Sequence, residues 1–340
     1  MRLSILDQSP VSAGMTPAGA LSHSVALAEA AEALGYTRYW IAEHHAMPAL
    51  ASTAPEILIA RIAAVTQRMR VGSGAVLLPY YAPLKVAETF RMLDAIAPGR
   101  IDLGLGRAPG GAGYEVHALQ RRPDAGALSD DFVQQVAQLL AFLNGTFPAG
   151  HPYGGIHVSP AGTTVPDVWM LGSSLYSADL AGQLGLPYAF AHFIDPGPTR
   201  DAIRRYRERL SASGLSDRGR VIVALGAVCA PTAEEARHLF ATTRLFRRRI
   251  RRGDRQPLAS PEDALVELGA DVADPFAAAG AAWPGYVVGA PDEVKAQIAE
   301  IATALGADEV MVLTVVFDPA ARLRSYALLA EAFGLQAGKS

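Results

Sequence analysis

The chain has 340 residues, half of them hydrophobic and 19% charged, with a formal net charge of −3. Its single cysteine excludes internal disulfides and cysteine-based metal clusters, and the near-balanced charge offers no basic surface for nucleic acid or an anionic membrane. No apolar run reaches the ~20 residues of a bilayer-spanning helix, and the opening MRLSILDQSP lacks the apolar core of a secretion signal, so a cytoplasmic protein is expected.

In chain order, residues 3–6 form a short apolar strand ended by Asp7-Gln8-Ser9-Pro10. Residues 21–34 have helical periodicity and stop at Gly35, a residue suited to the left-handed position after a helix. A second strand, 38–42, runs into Glu43-His44-His45. A helix follows over 55–68, with Ser52 or Thr53 as its cap. Residues 70–78 make a third strand, 86–97 a helix halted by Pro98-Gly99, and 100–105 a fourth strand.

Regularity lapses over 107–127 and again over 144–164, on either side of a helix at 128–143. Strands at 165–171, 187–191 and 220–229 alternate with helices that reach about 184, span 199–212 and span 232–252. The last of these ends in the basic run RRRIRR (247–252), read as a solvated helix face, with an anion-attracting rim as the alternative. Residues 253–285 are polar, carry one helix at 261–268, and are expected to form an active-site lid. A helix at 291–305 opens on proline with acids in its first turn. A strand at 310–317 and a helix at 319–333 close the chain.

Eight strand–helix units with no linker predict one (β/α)8 TIM-barrel domain with insertions after strands 4 and 7; a doubly wound open sheet is the alternative. Chemistry in such a barrel sits at the C-terminal ends of the strands. His44 follows strand two there and is suited to proton transfer, although a structural histidine explains it equally well. The histidine spacings suit no metal site. The glycines after strand four are spaced G-x-G-x-x-x-G and open no helix, so a dinucleotide loop is rejected. Arg107 beside them is a forked anion receptor or a surface ion pair. Gly172-Ser173-Ser174 and Ser177 join a strand to a helix start, where free N–H groups attract phosphate, unless Ser174 is an ordinary cap. Val288-Gly289-Ala290-Pro291 is a weaker rival, because Asp292 and Glu293 repel an anion. Gly72 and Gly74 interrupt a strand, as a bulge or the close approach of a flat ligand requires. Cys229 lies in an apolar run and reads as core.

The segments YWIAEHH (39–45), RVGSGAVLLPYYAPLKVAE (70–88), GRIDLGLGRAPG (99–110) and MLGSSLYSADLA (170–181), in this order, resemble the bacterial-luciferase family of flavin-dependent monooxygenases. The resemblance covers nearly the whole chain. It implies reduced FMN as cosubstrate, supplied by a separate flavin reductase. Oxygenation of a small organic substrate would then pass through a 4a-hydroperoxyflavin. It implies His44 as the catalytic histidine, Arg107, Ser174 and Ser177 at the phosphate, with Gly172 and Ser173 beside them. Gly74–Ala75 would be a non-proline cis peptide beneath the ring. A homodimer through the helices at 55–68 and 85–97 is also implied. Where luciferase has histidine before a proline this chain has Ala82, so light emission is not expected. A deazaflavin-dependent dehydrogenase, a non-catalytic flavin-binding protein and a metal-dependent barrel hydrolase are the alternatives. Tyr80, Tyr81, Tyr114, His192 and Phe193 are candidates to line the pocket, and the substrate is not legible.

Overall fold

The computed structural model describes residues 1–107, 114–119, 131–162, 164–215, 219–269 and 281–337. Eight parallel strands close a barrel: β1 (Arg2–Asp7), β2 (Arg38–Ile41), β3 (Arg70–Leu77), β4 (Ile101–Gly106), β5 (Asp167–Gly172), β6 (Tyr188–Ala191), β7 (Val221–Cys229) and β9 (Glu309–Leu313). Each pairs with its neighbour in that order, and β9 pairs back onto β1. The predicted (β/α)8 architecture stands, with one addition. β8 (Tyr286–Gly289), in or just after the segment expected to be lid or loop, pairs with the last four residues of β7. Gly226 faces Tyr286 on one edge and Leu313 on the other, so β8 extends the barrel wall on the β6 side.

The strands are covered by α1 (Pro17–Leu34), α2 (Pro55–Val65), α3 (Pro83–Ile96), α5 (Phe132–Asn144), α6 (Leu175–Gln183), α7 (Thr199–Ser213), α8 (Ala233–Arg251), α10 (Pro291–Leu305) and α11 (Pro319–Phe333), with short α4 (Tyr114–Leu119) and α9 (Pro261–Leu268) in the insertions. Because strand side chains alternate, two cores result. Tyr39 and Ile41 pack outward beneath the helices, whereas Trp40 between them joins Leu6, Trp169, Ile222 and Met311 inside the barrel. Gly35 ends α1 at φ 88°, and a Cβ there would also lie 2.8 Å from the Gln336 backbone. The expected cap of α2 is corrected: Ala54 holds that position, and Ser52 is turned inward with its carbonyl accepting the His44 N–H at 2.9 Å.

The RRRIRR run is not simply a solvated face. Arg248 donates to the Glu267 carbonyl at 2.6 Å and Arg249 pairs with the Glu267 carboxylate, so the run ties α8 to α9. Cys229 is buried as expected, and burial pushes its thiol up to about 11, which keeps it protonated and inert at neutral pH. No helix among the described residues is long and apolar enough to cross a membrane.

The barrel floor is ionic. Arg38, the first residue of β2, is 3% exposed and grips Asp102 on β4 at 2.7 Å and Glu309 on β9 at 2.7 and 3.1 Å. Arg70 on β3 and the Trp40 indole bind the same Asp102, and Ser4 on β1 donates to Glu309. The guanidinium lies 4.9 Å from the Trp169 ring. Burial alone would lower the Arg38 pKa, but the two carboxylates more than offset it and raise it. Removing one partner of such a group leaves unpaired charge in the interior, which costs about 3–5 kcal/mol. Arg38→Met is therefore expected to lower unfolding free energy by about that amount in urea titration; a loss below 1 kcal/mol would show that the floor is dispensable.

Candidate active site

At the other end of the barrel a cavity of about 360 Å3 opens between the C-terminal ends of the strands. Its depth is apolar, with Leu6, Trp40, Ala189, Ala224 and Met311 projecting inward from five strands. Glycines shape one wall. A Cβ on Gly72 would strike Asp102, which brings β3 against β4, and one on Gly74 would lie 2.7 Å from Leu6 Cδ1. The β3–β4 register shifts between Ser73 and Val76, and the intervening Gly74–Ala75 bond is cis, as the resemblance implied. Gly74 and Ala75 both line the cavity.

The rim beside β4 and β5 gathers groups that favour an anion. Arg107 follows β4 directly, is exposed, and holds its guanidinium 4.1 Å from the centre of the Tyr176 ring. Ser174 occupies the N-cap position of α6 but makes no side-chain cap hydrogen bond. The first N–H groups of α6 therefore keep their hydrogen-bonding capacity, and the positive end of the helix faces the rim. A Cβ on Gly172 would overlap the Ser177 side chain, so this glycine lets Ser177 tuck beneath the strand end. The Ser177 hydroxyl donates to the Ser174 carbonyl at 2.8 Å and lies 3.0 Å from the Tyr188 hydroxyl. The Ser177 hydroxyl is thus engaged within the protein, and its backbone N–H belongs to the first turn of α6. Ser173, half-buried, completes the same wall. The structure thus brings together Gly74, Ala75, Arg107, Gly172, Ser173, Ser174 and Ser177 around one cavity.

The rival helix start, at α10, is already filled. The Glu293 carboxylate accepts the Ala290 N–H at 3.1 Å and would lie 2.6 Å from a Cβ on Gly289. Its own chain supplies the anion there.

His44 is not among the residues lining the cavity. It lies in the loop after β2, two residues past Ala42 and four past Trp40, on their side of the strand alternation. Its Nδ1 is buried with no hydrogen-bond partner among the described residues. Burial, with His45 next to it, holds its pKa down to about 4, so the ring is neutral at physiological pH. Glu43 fixes this loop. Its buried carboxylate accepts the Leu77 N–H at 3.0 Å, the Tyr81 hydroxyl at 2.7 Å, and lies 2.7 Å from His45 Nε2. The two histidines divide as a strand extension allows: His45 is a partner of Glu43, and His44 keeps an uncommitted nitrogen.

Of the five candidate lining residues only Phe193 reaches the cavity. Tyr80 packs edge-on to His45, Tyr81 serves Glu43, Tyr114 is 92% exposed, and His192 is buried between Thr199 and the Pro284 carbonyl. Sequence reasoning missed Tyr176, whose position in the first turn of α6 was the available signal. It also missed the inward-facing strand residues, recognisable by their parity with Trp40. Residues 108–113, 120–130 and 270–280, parts of the expected insertion loop and lid, lie outside the described residues.

A closed parallel barrel with a cation and a free helix start beside an apolar well at the C-terminal ends of its strands is the architecture of a TIM-barrel enzyme. Residues 1–309 match the family model described as luciferase-like monooxygenase, and the chain belongs to that family. It is 42% identical to the uncharacterized protein YceB of Bacillus subtilis (strain 168), over 98% of this chain and 99% of that one. It is 33% identical to the N-acetyl-S-alkylcysteine monooxygenase of the same organism, over 98% of each. The crystal structure of apo-MsnO8 superposes with a TM-score of 0.89 at 46% identity, covering 98% of this chain and 99% of that one. More distant neighbours share the fold alone. They include the oxygenating constituent of 3,6-diketocamphane monooxygenase from the CAM plasmid of Pseudomonas putida, in complex with FMN (22% identity, TM-score 0.73, covering 98% of this chain and 97% of that one). Another is an F420-dependent secondary alcohol dehydrogenase (15%, TM-score 0.71, 97% and 98%).

The depressed His44 pKa sets a pH dependence. A histidine whose pKa falls from 6.5 to about 4 on folding is neutral in the fold while the unfolded chain takes up a proton between those values. Its contribution to stability is complete above pH 6.5 and declines as pH falls toward 4. His44→Gln should therefore narrow the gap between melting temperatures at pH 7 and pH 5; an unchanged gap would mean that His44 is not held neutral.

Proposed function

We propose that this luciferase-like monooxygenase uses reduced FMN, delivered by a separate flavin reductase, to place an oxygen atom from dioxygen on a small organic substrate. The observation that carries this reading is the rim: Arg107 stacked on Tyr176 beside an α6 N-terminus that its own cap serine leaves open. Arg107, the Ser173 and Ser174 hydroxyls and the N–H groups of the first turn of α6, including that of Ser177, would hold the phosphate. Gly74–Ala75, Leu77 and Trp40 would face the ring, with Gly172 between them and the phosphate end of the cavity. Bound there, reduced FMN supplies two electrons and, with dioxygen, the oxygen atom that is transferred.

The protein's own residues then have three tasks. The apolar wall excludes water from the reacting face. Arg107 and the helix start fix one end of the ligand, which limits its freedom to turn in the well. His44, set behind the cavity lining and neutral at physiological pH, would be the group to take up or return a proton, through its unpaired Nδ1, with Glu43 holding its loop in place. A homodimer is part of the same proposal. Ile57 on α2 and Met92 and Ile96 on α3 are 70%, 60% and 54% exposed, an apolar face that a second copy would cover.

Anaerobic titration with reduced FMN, oxidised FMN and reduced deazaflavin tests the reading. Reduced FMN is expected to bind most tightly, and Arg107→Ala to weaken it by about 10- to 100-fold through loss of a charge-assisted contact. Tighter binding of reduced deazaflavin would move the protein to a hydride-transfer enzyme of the same fold.

A further inference from the structure

Three layers of chain are laced together at the barrel mouth. The loop 44–52 closes on itself through His44 N–H to the Ser52 carbonyl, and is held to the segment after β1 by Val11 N–H to Ala49 and Ala51 N–H to Ser9. That segment is held in turn to the chain after α8, where Leu258 N–H donates to Val11 and Ala13 N–H to Leu258, each at 2.8 Å. One side chain spans the stack. Arg255 donates to the Ala46 carbonyl in the His44 loop at 3.1 Å and pairs with Glu115 of α4 at 2.6 Å. Arg255 and Glu115 are only 26% and 17% exposed.

Glu43 and these backbone bonds hold the base of the His44 loop, and Arg255 meets it at its tip, Ala46, while meeting α4 at Glu115. Ala46 sits at φ 49°, a left-handed conformation unfavourable for alanine, and its carbonyl accepts from Arg255. α4 has no buried side chain, so hydrophobic packing contributes little to its position. We infer that Arg255 is a positioning residue: its guanidinium steadies the tip of the turn that carries His44 and ties α4 to it, so the two are set together. The relevance of this to catalysis rests on the monooxygenase reading; the clasp itself does not.

The geometry separates the two arms. Glu115→Gln breaks the ion pair to α4 and leaves the Arg255 hydrogen bond to Ala46 in place. Arg255→Met breaks both. The exchange Arg255→Glu with Glu115→Arg restores an ion pair to α4, but a carboxylate cannot donate to the Ala46 carbonyl. Hydrogen exchange of residues 114–119 and NMR titration of His44 read the arms without any ligand. Exchange in α4 should run about fivefold faster in Glu115→Gln and in Arg255→Met and return toward the wild-type rate in the exchange variant. The His44 midpoint should stay near 4 in Glu115→Gln and rise toward 6.5 in Arg255→Met and in the exchange variant, as the loop admits water. An unmoved His44 midpoint in Arg255→Met, or one that moves equally in Glu115→Gln, would overturn the assignment. If reduced FMN failed to bind the wild type, the cofactor reading would fall while these measurements still decided the clasp.

Discussion

The pairing of Arg38 with Asp102 and Glu309 is the constraint on which the barrel depends. A guanidinium inside an apolar barrel is tolerable only when every direction it points in holds an acceptor, and here those acceptors come from β4 and β9. Arg70 and Ser4 add β3 and β1 to the same network. Five strands must therefore stand in one register for a single charge to be satisfied. A slip of one residue in any of them would turn its contributor outward and leave the charge unpaired.

With register fixed at the floor, the mouth can be built from small residues. Gly72, Gly74 and Gly172 bring backbone into positions that side chains would occupy, and the alanines at 189 and 224 leave the well open. The anion rim follows from the same economy of side chains. It pairs a helix start left uncapped by its own serine with one arginine set over a tyrosine ring. The contrast with α10 is instructive: there a glutamate three residues into the helix reaches back to the N-terminus and fills it. Two similar strand-to-helix turns thus differ, because of one carboxylate, in whether the helix start is already filled.

Much of this was legible in the chain. Apolar runs alternating with 3.6-period helices gave eight barrel strands, and Arg107, Ser174 and Gly74–Ala75 were singled out before the structure joined them at one cavity. Four kinds of feature were not legible, each for a physical reason. β8 is the short run Tyr286–Gly289 set between Pro284-Gly285 and Ala290-Pro291, breakers that read as turn rather than strand. Arg248 and Arg249 read as solvated because their partner Glu267 lies eighteen or more residues away on another helix. The role of Glu43 depends on Leu77 and Tyr81, which only the barrel brings near. His44 was found by its type and place, but its absence from the cavity lining depends on the course of the loop after β2.

The barrel's seam also has a consequence for its synthesis. β1 pairs with β9, Ser4 with Glu309, and Asp7 with Arg322, contacts separated by 305 and 315 positions in the two side-chain pairs. A chain emerging N-terminus first makes β1 early and can complete neither of its outer partnerships until nearly all of it has been translated. Until then the nascent sheet has an open edge and an aspartate without its arginine, both exposed to wrong partners. Closure is a late event set by contacts of very long range, and the slow step in reaching the native state is expected to be the meeting of the two ends rather than the making of any one strand–helix unit.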